Sequence, residues 1–261
     1  MSKKTYWAAL ALTAVAGFAH ADGFINGGFE SGDTNGWTTG QGHRGSTSNA
    51  ELAPSQFLPN GNLYNGPATR SSIIAAGTID PTIGAAFGST VYAGAYSYRA
   101  EDTKDGGYAS VASQKVSNYS ESNIFFAWKA VLQNGGHADN ESAAMILTLR
   151  DDTTGTQLLS RFYNAGDGGG GVDTRFTQQG DIFYTSAWQI EKLSIDSSLA
   201  GHDFTLSLAA ADCYYSGHTG YAYLDGFGGV APPVPEPESY AMLLAGLGLL
   251  GFMARRRKAR A

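Results

Sequence analysis

Residues 124–132 read IFFAWKAVL, a nearly continuous apolar run that contains three aromatic side chains. A strand with one face in water alternates apolar and polar residues, whereas a strand covered on both faces can be apolar at successive positions. The run therefore predicts a β-strand that other parts of the chain cover on both faces.

Other runs alternate in the way expected of half-buried strands. Met145, Leu147 and Leu149 are separated by polar or small residues, and residues 204–208 (FTLSL) repeat the pattern. The apolar phase changes between Ile190 and Leu193, and a β-bulge near residues 191–192 would reconcile the two phases. Gly, Asn and Asp clusters punctuate the runs, and a long 3.6-residue period is missing outside the two termini. We predict an all-β protein with a single jelly-roll-like β-sandwich over residues 22–229.

The net charge of residues 22–235 restricts the partners that this region can bind. Residues 22–235 carry 10 Lys and Arg against 21 Asp and Glu, a formal charge of about −11. This charge disfavours nucleic acid and anionic lipid as partners and is compatible with calcium or with solubility alone. The single Cys213 cannot form an internal disulfide. We expect it to be a small buried hydrophobe, with an intermolecular crosslink as the alternative.

The N-terminus has the pattern of an export signal. Lys3 and Lys4 precede an apolar stretch over residues 6–18, and Ala19 and Ala21 form an A-x-A cleavage site. We predict a signal peptide over residues 1–21 and a mature chain that begins at residue 22. An uncleaved anchor is the alternative, but the stretch is short and rich in alanine.

The C-terminus has three parts in sequence. They are a Pro-rich stalk at 230–238, an apolar segment at 239–254 predicted to be a short transmembrane helix, and a basic tail at 255–261. As a helix, residues 240–254 would span about 22 Å, less than the hydrocarbon core of roughly 30 Å. The basic cluster holds its end on the cytoplasmic side. A short, Gly-containing segment suits a temporary anchor, and an ordinary single-pass anchor is the alternative.

This tail resembles the PEP-CTERM sorting signal of Gram-negative bacteria, which is also catalogued as the ice-binding protein C-terminal domain. The resemblance implies processing by an exosortase, a transpeptidase-like membrane enzyme, in a host that makes exopolysaccharide. It implies a transient inner-membrane stage and a final location in the envelope, at the cell surface or in the extracellular matrix. It also assigns a recognition motif and a stop-transfer cluster, formed by Pro235, Glu236 and Pro237, and by Arg255, Arg256, Arg257 and Lys258.

A second resemblance comes from the two ends of the predicted sandwich. Residues 26–30 (NGGFE), followed by Gly36 and Trp37, and residues 221–227 (YAYLDGF) resemble galactose-binding-like jelly rolls found in carbohydrate-binding modules. The resemblance implies that the first and last strands lie side by side, with Phe29 and Leu224 in a shared core. It also implies a structural calcium with Glu30 and Asp225 as ligands. The alternative is that both carboxylates accept hydrogen bonds from turn amides.

Several short stretches match known binding motifs but lack the surrounding sequence that those motifs need. Residues 40–45 (GQGHRG) fit the dinucleotide pattern, but we predict a flexible loop because a strand and a helix do not flank them. One copy of the calcium turn at residues 168–173 has no repeat on which to stack, and we predict a surface loop. The histidines at 43, 137, 202 and 218 show no metal-binding spacing. Asp203 could orient the imidazole of His202, and a surface turn after Gly201 explains the pair equally well.

The sequence therefore predicts an exported, sorted β-sandwich that is not an enzyme. The first alternative is a glycan-binding module, with stacking residues among Trp37, Trp128, Trp188, Tyr214 and Tyr215. Each Trp lies in an apolar context that favours core packing, whereas the two tyrosines look more loop-like. The second alternative is a hydrolase built from scattered acids. Exposed aromatics on a concave face would favour the glycan binder, and paired desolvated carboxylates in a cleft would favour the enzyme.

Overall fold

The computed structural model describes residues 23–228, and these form an all-β structure, as predicted. Within this range there are twelve strands and three short 3-10 helices, with no α-helix. None of the helices between residues 23 and 228 is long and apolar enough to cross a membrane. The strands are β1 Thr38–His43, β2 Ser72–Ala75, β3 Tyr96–Ala100, β4 Tyr108–Val116, β5 Asn123–Gln133, β6 Ala144–Asp151, β7 Thr156–Asn164, β8 Phe176–Gln179, β9 Ile182–Thr185, β10 Gln189–Ser194, β11 Phe204–Ala211 and β12 Gly220–Gly228. The 3-10 helices are Asn49–Glu51, Pro54–Phe57 and Ala85–Phe87.

Two antiparallel sheets pack face to face, so the predicted sandwich is confirmed. The first sheet has the order β1-β4-β11-β6-β7. The second has the order β2-β3-β12-β5-β9-β8, and β10 also pairs with β5. The predicted signal peptide, stalk, transmembrane helix and basic tail, together with their named residues, lie outside the described residues.

Strand β5 contains the apolar run and is buried on both faces, as predicted. One edge of β5 pairs with β12, and its other edge pairs with β10 and then with β9. Phe126 and Trp128 point into the core between the sheets, whereas Val131 points outward into a second cluster around Phe87. The loop that carries Phe87 thus covers the outer face of the second sheet.

The N-terminal segment lies against β12, although it is not a strand. The amide of Phe227 donates a hydrogen bond of 3.1 Å to the carbonyl of Gly27. Phe29 stacks on Trp37 and shares the central core with Leu224, as predicted. The predicted pairing of the first and last strands is wrong, because β1 pairs with β4 in the other sheet. Phe29 has a φ of 59°, a left-handed conformation that an extended strand cannot contain.

The predicted bulge at residues 191–192 is also wrong. Strand β10 pairs with β5 in continuous register from Gln189 to Ser194. Ile190 points outward and is 55% exposed, whereas Glu191 is buried. Glu191 accepts two hydrogen bonds of 2.8 Å from Arg161 in β7. The hydrophobic phase changes because an ion pair between the two sheets occupies an inward position of this strand.

The stretch predicted as a flexible loop at residues 40–45 instead begins within β1. Gly40 and Gly42 are buried and paired with β4. A Cβ at Gly40 would overlap the carbonyl of Phe57, and a Cβ at Gly42 would overlap the carbonyl of Leu63. Because these glycines have no Cβ, the backbone at residues 57 and 63 can pack directly on the first sheet. At residues 168–173 the predicted loop is confirmed, between β7 and β8.

We expect Gly42→Ala to lower the free energy of unfolding by about 1–3 kcal/mol, because the added methyl group forces the backbone at Leu63 away from β1. Urea unfolding of the full chain measures the change. Gly217→Ala is the matched control, since no atom lies within 4 Å of its added Cβ. This control should change stability by no more than about 0.5 kcal/mol. Equal losses in the two variants would contradict the close approach at Gly42.

Candidate functional site

The outer face of the first sheet is covered over only part of its area. Leu52 and Phe57 pack on the small side chains of Ala109 in β4 and of Ala209 and Ala211 in β11. These alanines leave room for the two 3-10 helices at residues 49–57 to lie flat on the sheet. Further along the same strands the outward residues become polar, and this covering segment no longer shields them.

An open groove of about 530 Å³ forms where the cover ends. One wall is the 49–58 segment, and the floor comes from the outward residues of β4, β11, β6 and β7. Hydroxyl groups dominate the floor, with an amide, a guanidinium and a carboxylate beside them. The floor residues are Ser113, Ile146, Thr148, Arg150, Asp152, Gln157, Ser160, Phe162, Thr205 and Ser207.

The groove offers both stacking and hydrogen-bonding groups. Phe162 is 41% exposed and is the single aromatic side chain among the lining residues. Arg150 is more than half exposed and lies 3.7 Å from the carboxylate of Asp152. The hydroxyl of Thr205 donates a 2.6 Å hydrogen bond to the same carboxylate. An apolar face beside fixed donors and acceptors suits a polyhydroxylated ligand.

The acidic residues of the groove can be compared with those that most glycoside hydrolases use. Their reaction uses a pair of carboxyl groups on either side of the scissile bond. Asp152 is the sole acidic residue among those that line the groove. The lining residues therefore include no partner acid for that mechanism.

None of the aromatic residues predicted as sugar platforms lines this groove. Trp37 and Trp128 are buried in the central core, as their apolar context predicts. Trp188 packs on the outer cluster of the second sheet, and its indole donates a 3.1 Å hydrogen bond to the carbonyl of Ser89. Tyr215 is 58% exposed, but its hydroxyl donates to Glu141 and it does not line the groove.

Phe162 was not identified from the sequence. It lies between Arg161 and Tyr163 in β7, and Tyr163 belongs to the central core. Alternation in β7 places Phe162 on the outer face, and recognising this requires knowing which face of the first sheet is uncovered. The sequence left open whether Asp203 orients the imidazole of His202, and in the structure the imidazole pairs with Asp151 at 2.9 Å.

Glu30 and Asp225 both accept hydrogen bonds from backbone amides. Asp225 is fully buried and accepts from Tyr92 and Ala93 at 2.8 and 3.1 Å, and also from Gly226 at 2.6 Å. Glu30 is exposed, and both of its oxygens accept from the Ala95 amide. Burial, reinforced by the charge of Glu30, raises the pKa of Asp225 well above its usual value.

These amide contacts use most of the oxygen lone pairs that a cation would need. Calcium takes six to eight oxygen ligands. The two carboxylates on their own do not supply that set, and backbone oxygens, which the resemblance places near Asn26 and Gly28, would have to complete it. The assignment of Glu30 and Asp225 as calcium ligands stays a prediction.

A buried acidic pair that was not predicted from the sequence consists of Glu101 and Asp212. Both side chains are fully buried, and both contact the guanidinium of Arg70. Ser110 donates a 2.6 Å hydrogen bond to Glu101, and the amides of Tyr108 and Gly220 donate to Asp212. Burial, followed by the nearby charge of Glu101, raises the pKa of Asp212 to about 8. Burial also raises the pKa of Glu101, against the hydrogen bonds from Ser110 and Arg70. The pair is desolvated, but its burial and its partners leave no face open to a substrate.

Comparison with known proteins identifies the tail. Residues 233–258 match the PEP-CTERM protein-sorting motif, which confirms the resemblance seen in the sequence. No curated protein sequence matches the chain.

Three solved structures illustrate the similarity of the sandwich to known β folds. TmCBM61, solved in complex with beta-1,4-galactotriose, has a TM-score of 0.40 at 11% identity, covering 79% of this chain and 96% of that one. The non-crystalline cellulose specific carbohydrate-binding module CBM28 has a TM-score of 0.38 at 12% identity, covering 81% and 96%. Caldicellulosiruptor saccharolyticus CBM27-1, solved in complex with mannohexaose, has a TM-score of 0.32 at 10% identity, covering 61% and 81%.

We expect stability to fall as the pH rises from about 4 to about 8. The folded chain holds protons on Glu101, Asp212 and Asp225 at pH values where the unfolded chain has lost them, because burial raises their pKa values. Each such group contributes a slope of at most about 1.4 kcal/mol per pH unit. Urea unfolding over pH 2–9 measures this dependence.

Below pH 4 the slope should reverse. Hydrogen bonds from Thr154 and His202 hold the pKa of Asp151 at about 2 although burial opposes them, and those carboxylate contacts are lost as the pH falls. Asp212→Asn should flatten the decline between pH 5 and 8, while Asp105→Asn in an exposed loop should leave it unchanged. A decline of the same size in Asp212→Asn as in the unchanged chain would contradict the assignment.

Proposed function

We propose that this chain is an exported β-sandwich protein that an exosortase-type enzyme processes at its PEP-CTERM tail. The single observation that carries the proposal is the sorting motif at residues 233–258. The signal peptide, cleaved after Ala21, starts export, and the segment 239–254 holds the chain transiently in the inner membrane. The cluster Arg255–Lys258 stays on the cytoplasmic side. The sandwich is then retained in the envelope or at the surface, or released into an extracellular matrix that contains exopolysaccharide.

The placement of the sandwich within the chain supports this order of events. Strand β12 ends at Gly228, before the motif begins at residue 233. The three hydrophobic clusters of the described structure use residues from 24 to 227. Cleavage at the motif therefore removes none of the side chains that form these clusters. A folded sandwich can be released without losing its core.

The groove on the first sheet favours a second, compatible function, which is glycan binding. Phe162 supplies a face against which a sugar ring can stack, and Arg150, Gln157 and the surrounding hydroxyls supply hydrogen bonds. One acidic residue lines the groove, which favours binding over hydrolysis. The predicted structural calcium at Glu30 and Asp225 remains a further proposal, independent of this groove.

We expect Glu236→Ala and Pro237→Ala each to leave export intact and to block processing of the tail. The proline fixes an extended backbone, and the carboxylate distinguishes the motif from other Pro-rich segments. Immunoblotting and mass spectrometry of host fractions should show a longer, membrane-bound form. Glu121→Ala, a substitution within the sandwich, is the control and should mature normally. Normal maturation of both motif variants would refute the sorting role.

We expect Phe162→Ala to weaken binding of the full chain to exopolysaccharide purified from the host by about tenfold, which corresponds to about 1.4 kcal/mol. Arg150→Ala should weaken it similarly, because the groove loses an exposed hydrogen-bond donor. Affinity electrophoresis measures both changes. Ile190→Ala removes an exposed apolar side chain from the other sheet and is the matched control. If all three variants bind like the unchanged chain, the groove is not a glycan site.

A further inference from the structure

A cluster of three potential metal ligands lies at one end of the sandwich, and none of the three lines the groove. His137 belongs to the loop between β5 and β6, and Cys213 and His218 belong to the loop between β11 and β12. Their ligand atoms all lie within 4.8 Å of one another. The sequence shows no metal-binding spacing for these histidines, and the fold nevertheless brings His137 and His218 together across 81 residues of the chain.

The distances within the cluster are close to those of a tetrahedral metal site. Zinc lies about 2.0–2.1 Å from imidazole nitrogen and about 2.3 Å from thiolate sulfur, which places ligand atoms about 3.3 Å (N···N) and about 3.6 Å (S···N) apart at tetrahedral angles. Nε2 of His137 lies 3.1 Å from Nδ1 of His218, and Sγ of Cys213 lies 3.5 Å from the same Nδ1. The remaining distance, between the ligand atoms of His137 and Cys213, is at most 4.8 Å and must shorten by at most about 1.2 Å for all three residues to bind one ion.

Short-range hydrogen bonds hold the loop at residues 213–218 in this arrangement. The amide of Cys213 donates to the carbonyl of His218 at 2.9 Å, and the amide of Ser216 donates to the carbonyl of Cys213 at 3.1 Å. The ring of His218 lies so close to Gly135 that a Cβ there would overlap it. Both ligands of this loop are thus positioned by contacts that do not require a metal.

Contacts on the other side position His137 and the sulfur. The carbonyl of His137 accepts a 2.9 Å hydrogen bond from the Asp167 amide. The Gly217 amide donates to Sγ of Cys213 at 3.3 Å, which fixes the position of the sulfur. Cys213 is fully buried, which disfavours the intermolecular crosslink left open by the sequence.

We propose that His137, Cys213 and His218 bind a divalent transition-metal ion of the zinc class. Two imidazoles and a thiolate are soft to borderline ligands, which favour zinc over calcium or magnesium. Three protein ligands leave a fourth position for water or for a ligand from outside. The metal joins the β5–β6 loop to the β11–β12 loop and stabilises the folded chain by mass action. Binding releases the thiol proton, so affinity increases with pH.

The test uses the full chain, purified without a histidine tag and stripped of metal. Zn²⁺ should bind at one ion per chain and raise the melting temperature, and Co²⁺ should give a thiolate-to-metal charge-transfer band in the near ultraviolet. Cys213→Ser and His137→Gln should each weaken Zn²⁺ binding by roughly 100-fold or more, because losing an outer-shell partner already costs 10–100-fold. His43→Gln alters a histidine outside the cluster and should bind Zn²⁺ like the unchanged chain.

Several outcomes would overturn the proposal. The proposal is wrong if the unchanged chain does not bind Zn²⁺. It is also wrong if Cys213→Ser and His137→Gln both still bind Zn²⁺ like the unchanged chain. A Co²⁺ complex without the thiolate band would exclude Cys213 as a ligand. Far-UV circular dichroism of the metal-free variants separates loss of a ligand from loss of the fold. If one variant fails to fold, the other decides the result.

Discussion

Strand β5 is buried on both faces, and this constraint determines how the surrounding chain must be arranged. A strand in this position cannot leave polar groups without partners, because each unpaired group costs a few kcal/mol. Lys129 meets the requirement by donating to the carbonyls of Ser89 and Ser186 at 3.3 and 3.1 Å, and also to that of Phe87. Burial lowers its pKa to about 8. Hydrogen bonds from Lys129 therefore attach the loop around residues 87–89 to β5, the strand that this loop covers.

The two outer faces of the sandwich differ in how completely they are covered. On the second sheet, Asp80 in the covering loop accepts hydrogen bonds from the hydroxyls of Tyr221 and Tyr223 at 2.9 and 2.8 Å. Large aromatic side chains thus complete that face. On the first sheet, small residues and the glycines at 40 and 42 allow the chain between residues 49 and 63 to lie close to the sheet, but this chain covers only part of the outer face. The groove is a consequence of this partial cover.

Hydrophobic patterns predict the strands well where burial alone determines the sequence. Met145, Leu147 and Leu149 alternate because one face of β6 forms the core, and β11 likewise begins at Phe204. Prediction fails where a non-local partner determines the residue. Glu191 is inward because Arg161 lies opposite, and the cluster of His137 with Cys213 depends on two loops whose contact no local spacing reveals. The groove requires knowing which surface stays uncovered, and that depends on the path of the whole chain.

The contact between the N-terminal segment and β12 also brings the two ends of the described chain together. Phe24 and Phe227 have ring centroids 4.0 Å apart, close to where the structure begins and ends. The same proximity makes the sandwich a candidate for circular permutation, with a short linker joining its ends and new termini in an exposed loop such as that between β6 and β7.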